Sequence, residues 1–246
     1  MLYSHIMMNL TQKQLAFNAA MQKYHENQRY QTIYKLVSLL NVSMQMYLFV
    51  FLFSLHIEWY FFTLVFVASY FMTDFINGYV HMYMDNNHGY ESLLGPFIAS
   101  FHLHHRTPSY RDFSIFRIYF NESGSKFWLV PFLMLTVVLT FFPVNPYFLL
   151  SLILIGILSS VAEVSHFLCH NSTHKVVLFL QKNHILLSMN HHSNHHEKDN
   201  QSYAFLNGMS DFLLDRIASR VYGGYKENSD LHAKAYVGSD TDNRDS

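Results

Sequence analysis

The chain has 246 residues, of which 50% are hydrophobic and 17% aromatic, whereas only 13% are charged. Because soluble domains carry about 25% charged residues, this composition predicts a membrane protein built around one substantial domain. The 16 basic and 17 acidic side chains nearly cancel, which excludes the positive field of a nucleic-acid-binding protein, and the single cysteine, Cys169, excludes an intramolecular disulfide.

The two ends of the chain are polar. Residues 1–35 are mixed in charge and lack the apolar core of a cleaved signal peptide, so we expect them to form a cytoplasmic N-terminal segment. Residues 223–246 are rich in Asp, Ser and Gly, which predicts a flexible polar tail. The main domain is therefore predicted to cover residues 36–222.

Several apolar stretches are long enough to cross a bilayer, which takes about 20 residues. The first two meet near Glu58, and the next, residues 127–162, has no charged side chain but is interrupted by Pro143 and Pro146. Because interior proline breaks a helix, we read that stretch as two spans. The expected fold is an all-α integral membrane protein with about four transmembrane helices in two hairpins and a cytoplasmic helical cap. The predicted spans are residues 36–57, 59–78, 127–142 and 147–163.

The basic side chains predict how these spans are oriented. Neither predicted hairpin turn contains Lys or Arg, and all 16 basic residues lie in residues 1–35, in residues 74–126 or after Glu163. By the positive-inside rule these three segments, and with them both termini, are cytoplasmic. The sequence therefore predicts a multi-pass protein of a bacterial inner membrane or of the endoplasmic reticulum, with the histidine clusters on the cytoplasmic side.

Thirteen of the 17 histidines lie in clusters at residues 81–105 and 166–196. Histidine is the commonest metal-ligating side chain, and residues three or four apart share one face of a helix. The adjacent His104 and His105 cannot share a helical face, so each could bind one of two metals. The groups with helical spacing are His81 with Asp85, His166 with His170, and His192 with His195 and His196.

The number of imidazoles narrows the choice of metal centre. Imidazole suits iron, copper and zinc, but structural zinc closes at four ligands and catalytic zinc usually takes three from the protein. Eight imidazoles without cysteine partners fit two irons that keep positions open for O₂. Such a centre can remove hydrogen from the unactivated C–H bonds of a lipid chain. His102 and His191 extend their clusters by one residue and could be ligands or neighbours that orient ligands.

The order and spacing of the motifs match one family. They resemble the plasmanylethanolamine desaturases, also called Kua or lipid desaturase domain proteins, over about residues 74–215. Met82 and the pair Phe167 and Leu168 depart from the family pattern but leave the ligand positions intact. The motifs are Asp74-x-x-x-Gly78-x-x-His81-x-x-x-Asp85, Phe101-x-x-His104-His105-x-x-Pro108, His166-x-x-x-His170, Leu180-Gln181-x-x-His184 and His192-x-x-His195-His196.

The resemblance implies a diiron desaturase that uses O₂ and takes electrons from a separate protein, such as cytochrome b5 or a ferredoxin. It implies that Asp85 and His184 either bind metal or orient the ligands, and it gives no catalytic residue apart from the ligands. The eight iron ligands that it implies are His81, His104, His105, His166, His170, His192, His195 and His196.

The expected reaction is the desaturation of a membrane lipid, first of all the alkyl ether chain of plasmanylethanolamine, which would become a vinyl ether. The nearest alternative is a desaturase of ester-linked acyl chains, followed by a lipid hydroxylase with the same metal site. A histidine-rich metal transporter belongs to a different class, and a transporter should hold ionisable ligands near the middle of its spans. Here the clusters follow the spans, which favours an enzyme.

Overall fold

A computed structural model gives the fold of the chain, and it describes residues 2–103, 114–198 and 200–222, with side chains from Gln12 onward. Every regular element within these residues is helical, which confirms the predicted all-α class. The α-helices are α1 (Leu2–Glu26), α2 (Gln28–Leu52), α3 (Trp59–Asp85), α4 (Gly95–His102), α5 (Ile115–Glu122), α6 (Leu129–Leu139), α7 (Pro146–Asn171), α8 (Lys175–Lys182), α9 (Met189–Glu197) and α10 (Asp211–Val221).

The helices α2, α3 and α7 are each long and apolar enough to cross a membrane. A fourth crossing needs α5 and α6 together, because α6 has only 11 residues, about 16 Å at 1.5 Å per residue. These two helices meet at an angle of 99°. The chain is therefore a multi-pass membrane protein with three to four spans. Residues 127–142, predicted as the third span, contain α6, the second helix of the bent pair.

The bend forms where small and polar residues precede α6. A 3-10 turn, Ser123–Ser125, follows α5, and the amide Nδ2 of Asn41 donates to the carbonyl oxygens of Ser123 (2.9 Å) and Lys126 (3.2 Å). Each of these carbonyls also accepts a backbone N–H within the turn, so the buried amide adds a second hydrogen bond to each and ties the bend to α2. Since it comes from α2, 82 residues away from Ser123, the third apolar stretch alone gives no sign of the bend.

The beginning of α7 is set by Asn145 and Pro146. The side-chain oxygen of Asn145 accepts hydrogen bonds from the backbone N–H groups of Tyr147 (3.0 Å) and Phe148 (3.3 Å). Pro146 occupies the first helical position, where its missing N–H has no helical partner to lose. The proline segment therefore separates α6 from α7, and α7 runs without interruption to the histidines near its end.

Helix α7 is the central helix of its bundle. In the most apolar stretch of 18 residues of α7, 72% of the residues are buried, compared with 28% in the corresponding stretch of α2 and 17% in that of α3. Gly156 allows α6 to approach closely, because a Cβ atom there would lie 2.6 Å from Leu133 Cδ2. The outer helices instead expose apolar side chains such as Leu64 and Val67, which suits contact with lipid.

The chain divides into two compact units. The smaller unit contains α1, α4 and the segment that leads into α4. Its core is built from Phe17, Met21, Tyr90 and Ile98, and the rings of Phe17 and Tyr90 meet edge to face at 5.4 Å. The larger unit, residues 32–83 and 109–225, holds the spans, α8 to α10 and most of the histidines discussed below.

Candidate metal centre

Four histidines from α7 and α9 converge in the larger unit, and we call them the four-histidine group. His166 and His170 stand one turn apart on α7, and His192 and His196 stand one turn apart on α9. The Nε2 atom of His192 lies 2.8 Å from Nε2 of His166 and 2.9 Å from Nε2 of His196, and the Nε2 atoms of His170 and His166 are 3.2 Å apart. One ligand atom from each side chain fits within 4.8 Å of the others.

The chemistry of this donor set fits a metal ion. A neutral imidazole has one nitrogen lone pair, and here four ring nitrogens point at one small volume. Burial lowers the pKa of His192 well below its usual range, and the neighbouring imidazoles, first of all His166, lower it further. His192 is therefore neutral at physiological pH, which is the form that binds metals.

A second, smaller set consists of His81 near the end of α3 and His195 on α9, and we call it the carbonyl-oriented pair. The Nδ1 atom of His81 lies 2.8 Å from the carbonyl oxygen of Tyr203, and Nδ1 of His195 lies 3.0 Å from that of Gln201. A carbonyl oxygen only accepts, so each Nδ1 carries the proton and each Nε2 keeps its lone pair. Both rings are buried, with centroids 4.6 Å apart.

The segment that supplies these carbonyls is held by Asp74, which is buried on α3. One carboxylate oxygen accepts from the N–H groups of Leu206 (3.1 Å), Asn207 (3.0 Å) and Gly208 (3.3 Å). The other accepts from both the N–H (2.9 Å) and the hydroxyl (2.7 Å) of Ser210. One side chain thus satisfies five donors and fixes a stretch of chain that has no regular structure of its own.

Gly78 lets the same segment lie against α3. A Cβ atom at this position would lie 2.4 Å from Leu214 Cδ1 and 3.0 Å from the Cα of Ala204. Asp74, Gly78 and His81 therefore share one face of α3, and each contacts the segment after residue 200. In the sequence, Asp74 and Gly78 belong to the motif that ends in His81 and Asp85, and their spacing from His81 is the sequence signal that they share its helical face.

His191 turns away from the four-histidine group and binds Asp211 instead. Its Nε2 atom lies 2.5 Å from Asp211 Oδ2, while Asp211 Oδ1 accepts from the N–H of Ala204 at 2.8 Å. The hydrogen bond to Asp211 raises the pKa of His191, which favours an ion pair. Gly208 has a φ of +85°, and a Cβ there would lie 2.6 Å from His191 Nε2. This contact fixes α9 from its outer side.

The structure also describes three further candidates. His102 belongs to the smaller unit, where Nδ1 lies 2.6 Å from the Tyr90 hydroxyl and Nε2 lies 2.8 Å from the carbonyl oxygen of Met84, so both ring nitrogens are engaged. His184 is exposed in the turn after α8, with a φ of 55°. Asp85 is buried one turn after His81, as the last residue of α3.

The structure thus gathers six of the eight histidines implied as ligands, and α9 contributes to both sets. The rings of His192 and His195, one from each set, stack with centroids 5.6 Å apart. The implied ligands His104 and His105 lie outside the described residues. The six are His81, His166, His170, His192, His195 and His196.

Comparison with protein families gives one match to this region. The family model described as the lipid desaturase domain matches residues 70–222, which is 153 of the 246 residues (222 − 70 + 1). The matched range contains both sets of histidines, Asp74 and Asp211. No curated protein and no solved structure matches the chain.

Proposed function

The chain belongs to the lipid desaturase domain family, whose model covers more than half of it, and on that basis we propose that it desaturates a membrane lipid at a diiron centre with O₂. The observation that supports this most is the convergence of imidazoles near the ends of two membrane helices, α3 and α7. Buried neutral imidazoles without cysteine partners suit iron.

The proposed ligands follow from the two sets of histidines. The four-histidine group would hold one iron, and the carbonyl-oriented pair would supply two ligands to the other. The sequence motifs add His104 and His105 to the proposal, with Asp85 as a further ligand or a group that orients one. The two irons, when bound, would supply the activation of O₂ and the oxidation of the lipid.

The chain's own residues would hold the donors in place and keep them neutral. The carbonyls of Gln201 and Tyr203 fix the tautomer of the carbonyl-oriented pair, which puts the lone pair of each ring on Nε2, the atom that would bind a metal. Burial keeps His192 unprotonated. The Phe205 ring packs against His81 and His166 and would help to exclude water from the histidines, which protects an oxidising centre from side reactions.

The overall reaction balances with an external electron donor. A lipid –CH₂–CH₂– unit, O₂, two electrons and two protons give –CH=CH– and two waters. The two electrons would come from a redox protein of the cytochrome b5 or ferredoxin type, and the lipid would reach the site from the bilayer that surrounds α3. The distribution of Lys and Arg supports a cytoplasmic position for the site, where such donors are found.

We propose the alkyl ether chain of plasmanylethanolamine as the first-choice substrate, because the order of the motifs resembles that of the plasmanylethanolamine desaturases. The second choice is an ester-linked acyl chain, since Met82 and the pair Phe167 and Leu168 depart from the family pattern near the ligands. A metal transporter is disfavoured, because the gathered imidazoles lie towards the ends of α3 and α7 rather than at their middles.

Lipid profiling of cells that express the chain tests the proposal. The host should make alkyl ether phospholipids and no vinyl ethers, and the His170→Ala variant serves as the inactive control. We expect acid-labile vinyl ethers with the natural chain only. A new double bond confined to ester-linked chains would show that the substrate is an acyl chain and not the alkyl ether. A hydroxylated chain would show that the reaction is hydroxylation and not desaturation. Iron-loaded protein that forms no new product, in membranes with a working electron donor, would reject the proposal.

A further inference from the structure

Lys126 is buried inside the larger unit. It lies at the bend between the 3-10 turn and α6, and its side chain is only 4% exposed. Ionisable side chains within a membrane helix bundle are rare, and those that occur usually serve a function. A buried ion pair is by itself weak evidence of a stabilising role, because the loss of hydration offsets most of the attraction. The position of this lysine therefore calls for an explanation.

The ammonium group joins the two helices that carry the first histidine of each set. Lys126 Nζ lies 2.5 Å from Asn77 Oδ1 on α3 and 2.8 Å from Glu163 Oε1 on α7. Asn77 precedes His81 by four residues and Glu163 precedes His166 by three, so each partner lies one turn before a histidine on the same helical face. The lysine thus connects α3 and α7 at the level just before the candidate metal centre.

An aromatic ring lies between this cation and the histidines. Lys126 Nζ is 4.8 Å from the centroid of the Phe205 ring, within the range of a cation–π contact. The same ring meets His81 edge-on at 5.4 Å and His166 at 5.7 Å between centroids. Phe205 therefore contacts one histidine from each set while the lysine contacts Phe205 from another side.

We infer that Lys126 is a positioning residue for the dimetal centre. Through Asn77 and Glu163 it fixes the separation of α3 and α7, and through Phe205 it fixes how His81 faces His166. This inference rests on the proposed function, since it assumes that both sets of histidines bind metal. The competing explanation is a buried ion pair that only stabilises the helix bundle.

Cobalt(II) binding separates the two explanations, because its visible absorption reports the coordination geometry without any need for turnover. The test variant replaces both partners of the ion pair, Lys126→Met with Glu163→Met, so that neither partner is left buried without the other. The purified, detergent-solubilised full chain is titrated with cobalt. We expect the natural chain to bind two cobalt ions. In the double variant the weaker of the two ions should bind about 10–100-fold less tightly, as happens when groups that orient metal ligands are lost. Its visible absorption spectrum should also shift.

The matched control is Gln45→Met, which removes another buried polar contact between helices of the same bundle. Gln45 Nε2 donates to the Gly156 carbonyl (2.9 Å) and lies 2.8 Å from the Ser160 hydroxyl, and its Oε1 accepts from Tyr119 (2.9 Å). Phe205 instead makes ring and cation contacts with His81, His166 and Lys126. We expect this control to lower the melting temperature without changing the cobalt spectrum.

Wild-type cobalt affinity and spectrum in a folded double variant would overturn the inference and leave the proposed function intact. If the double variant does not fold, Phe205→Leu replaces it, because this change keeps the ion pair and removes only the ring. The same weakening of one cobalt is expected, and an unchanged titration would overturn the inference. A natural chain that binds fewer than two cobalt ions would overturn the proposed dimetal centre and the inference together.

Discussion

The four-histidine group and the carbonyl-oriented pair are built in different ways. The first consists of two one-turn pairs on α7 and α9, so helix geometry alone aligns the imidazoles within each pair. In the second, backbone carbonyls of a segment without regular structure orient His81 and His195. The first set therefore depends on its helices, whereas the second depends on whatever fixes that segment, above all Asp74.

The largest expected effect comes from breaking the four-histidine group at its centre. His192→Ala removes the nitrogen that lies within 3 Å of both His166 and His196. We expect desaturation to be abolished and at least one of two metal ions to be lost, as measured by elemental analysis of the purified protein. His56→Ala, at an exposed histidine between α2 and α3, is the control and should retain both ions. Full metal content in His192→Ala would show that this group is not a metal site.

Asp74→Asn should weaken metal binding by the carbonyl-oriented pair more than by the four-histidine group. The amide retains one acceptor where the carboxylate served five donors, so we expect a loss of about 2–4 kcal/mol in stability. Metal should be lost from the carbonyl-oriented pair and retained by the four-histidine group, which a cobalt titration can resolve. Asp215 accepts a single bond, from the N–H of Ser202, and the amide oxygen of Asp215→Asn can still accept it, so this control should show a much smaller effect. Equal loss of both metals in Asp74→Asn would contradict the distinction.

Gly208→Ala tests how α9 is held from outside the metal centre. The added Cβ would lie 2.6 Å from His191 Nε2, at a φ of +85° that side chains rarely adopt. We expect about 1–2 kcal/mol of destabilisation and a metal affinity roughly tenfold weaker. Gly89→Ala is the matched control, because its Cβ would meet nothing closer than 3.1 Å. An unchanged affinity in Gly208→Ala would mean that His191 does not position α9.

The smallest expected effect is at the start of α9. The Ser188 hydroxyl accepts from the N–H of His191 at 3.3 Å, and Ser188→Ala should cost about 1 kcal/mol of stability. The metal affinity should change by less than about tenfold, because the metal ligands themselves are untouched. Ser114→Ala removes an equivalent cap, to Arg117 at 3.3 Å, from α5. Thermal melts of the two variants should agree, and only Ser188→Ala should affect metal binding.

The same contrast explains how much the sequence could predict. Helical spacing and long apolar stretches are local properties, so they indicate the long membrane helices and the one-turn pairs on α7 and α9. The carbonyl contact of His81 is not local, since Tyr203 lies 122 residues from it in the sequence. The residues around Lys126 do not indicate that Asn41 will donate hydrogen bonds to the carbonyls of the bend. Nor do they indicate that Glu163 will form an ion pair with the lysine. Such contacts depend on which helices become neighbours.

Helix α9 has a consequence for how the protein would acquire its metals. It provides His192 and His196 to one set and His195 to the other within nine residues, so the first ion to bind would order ligands for the second. Thermodynamic reciprocity then requires that each ion strengthen the binding of the other. Under limiting iron, the population is expected to divide between empty and fully loaded molecules, with few that carry a single ion. Half-loaded enzyme, which could reduce O₂ without oxidising lipid, would thereby be scarce.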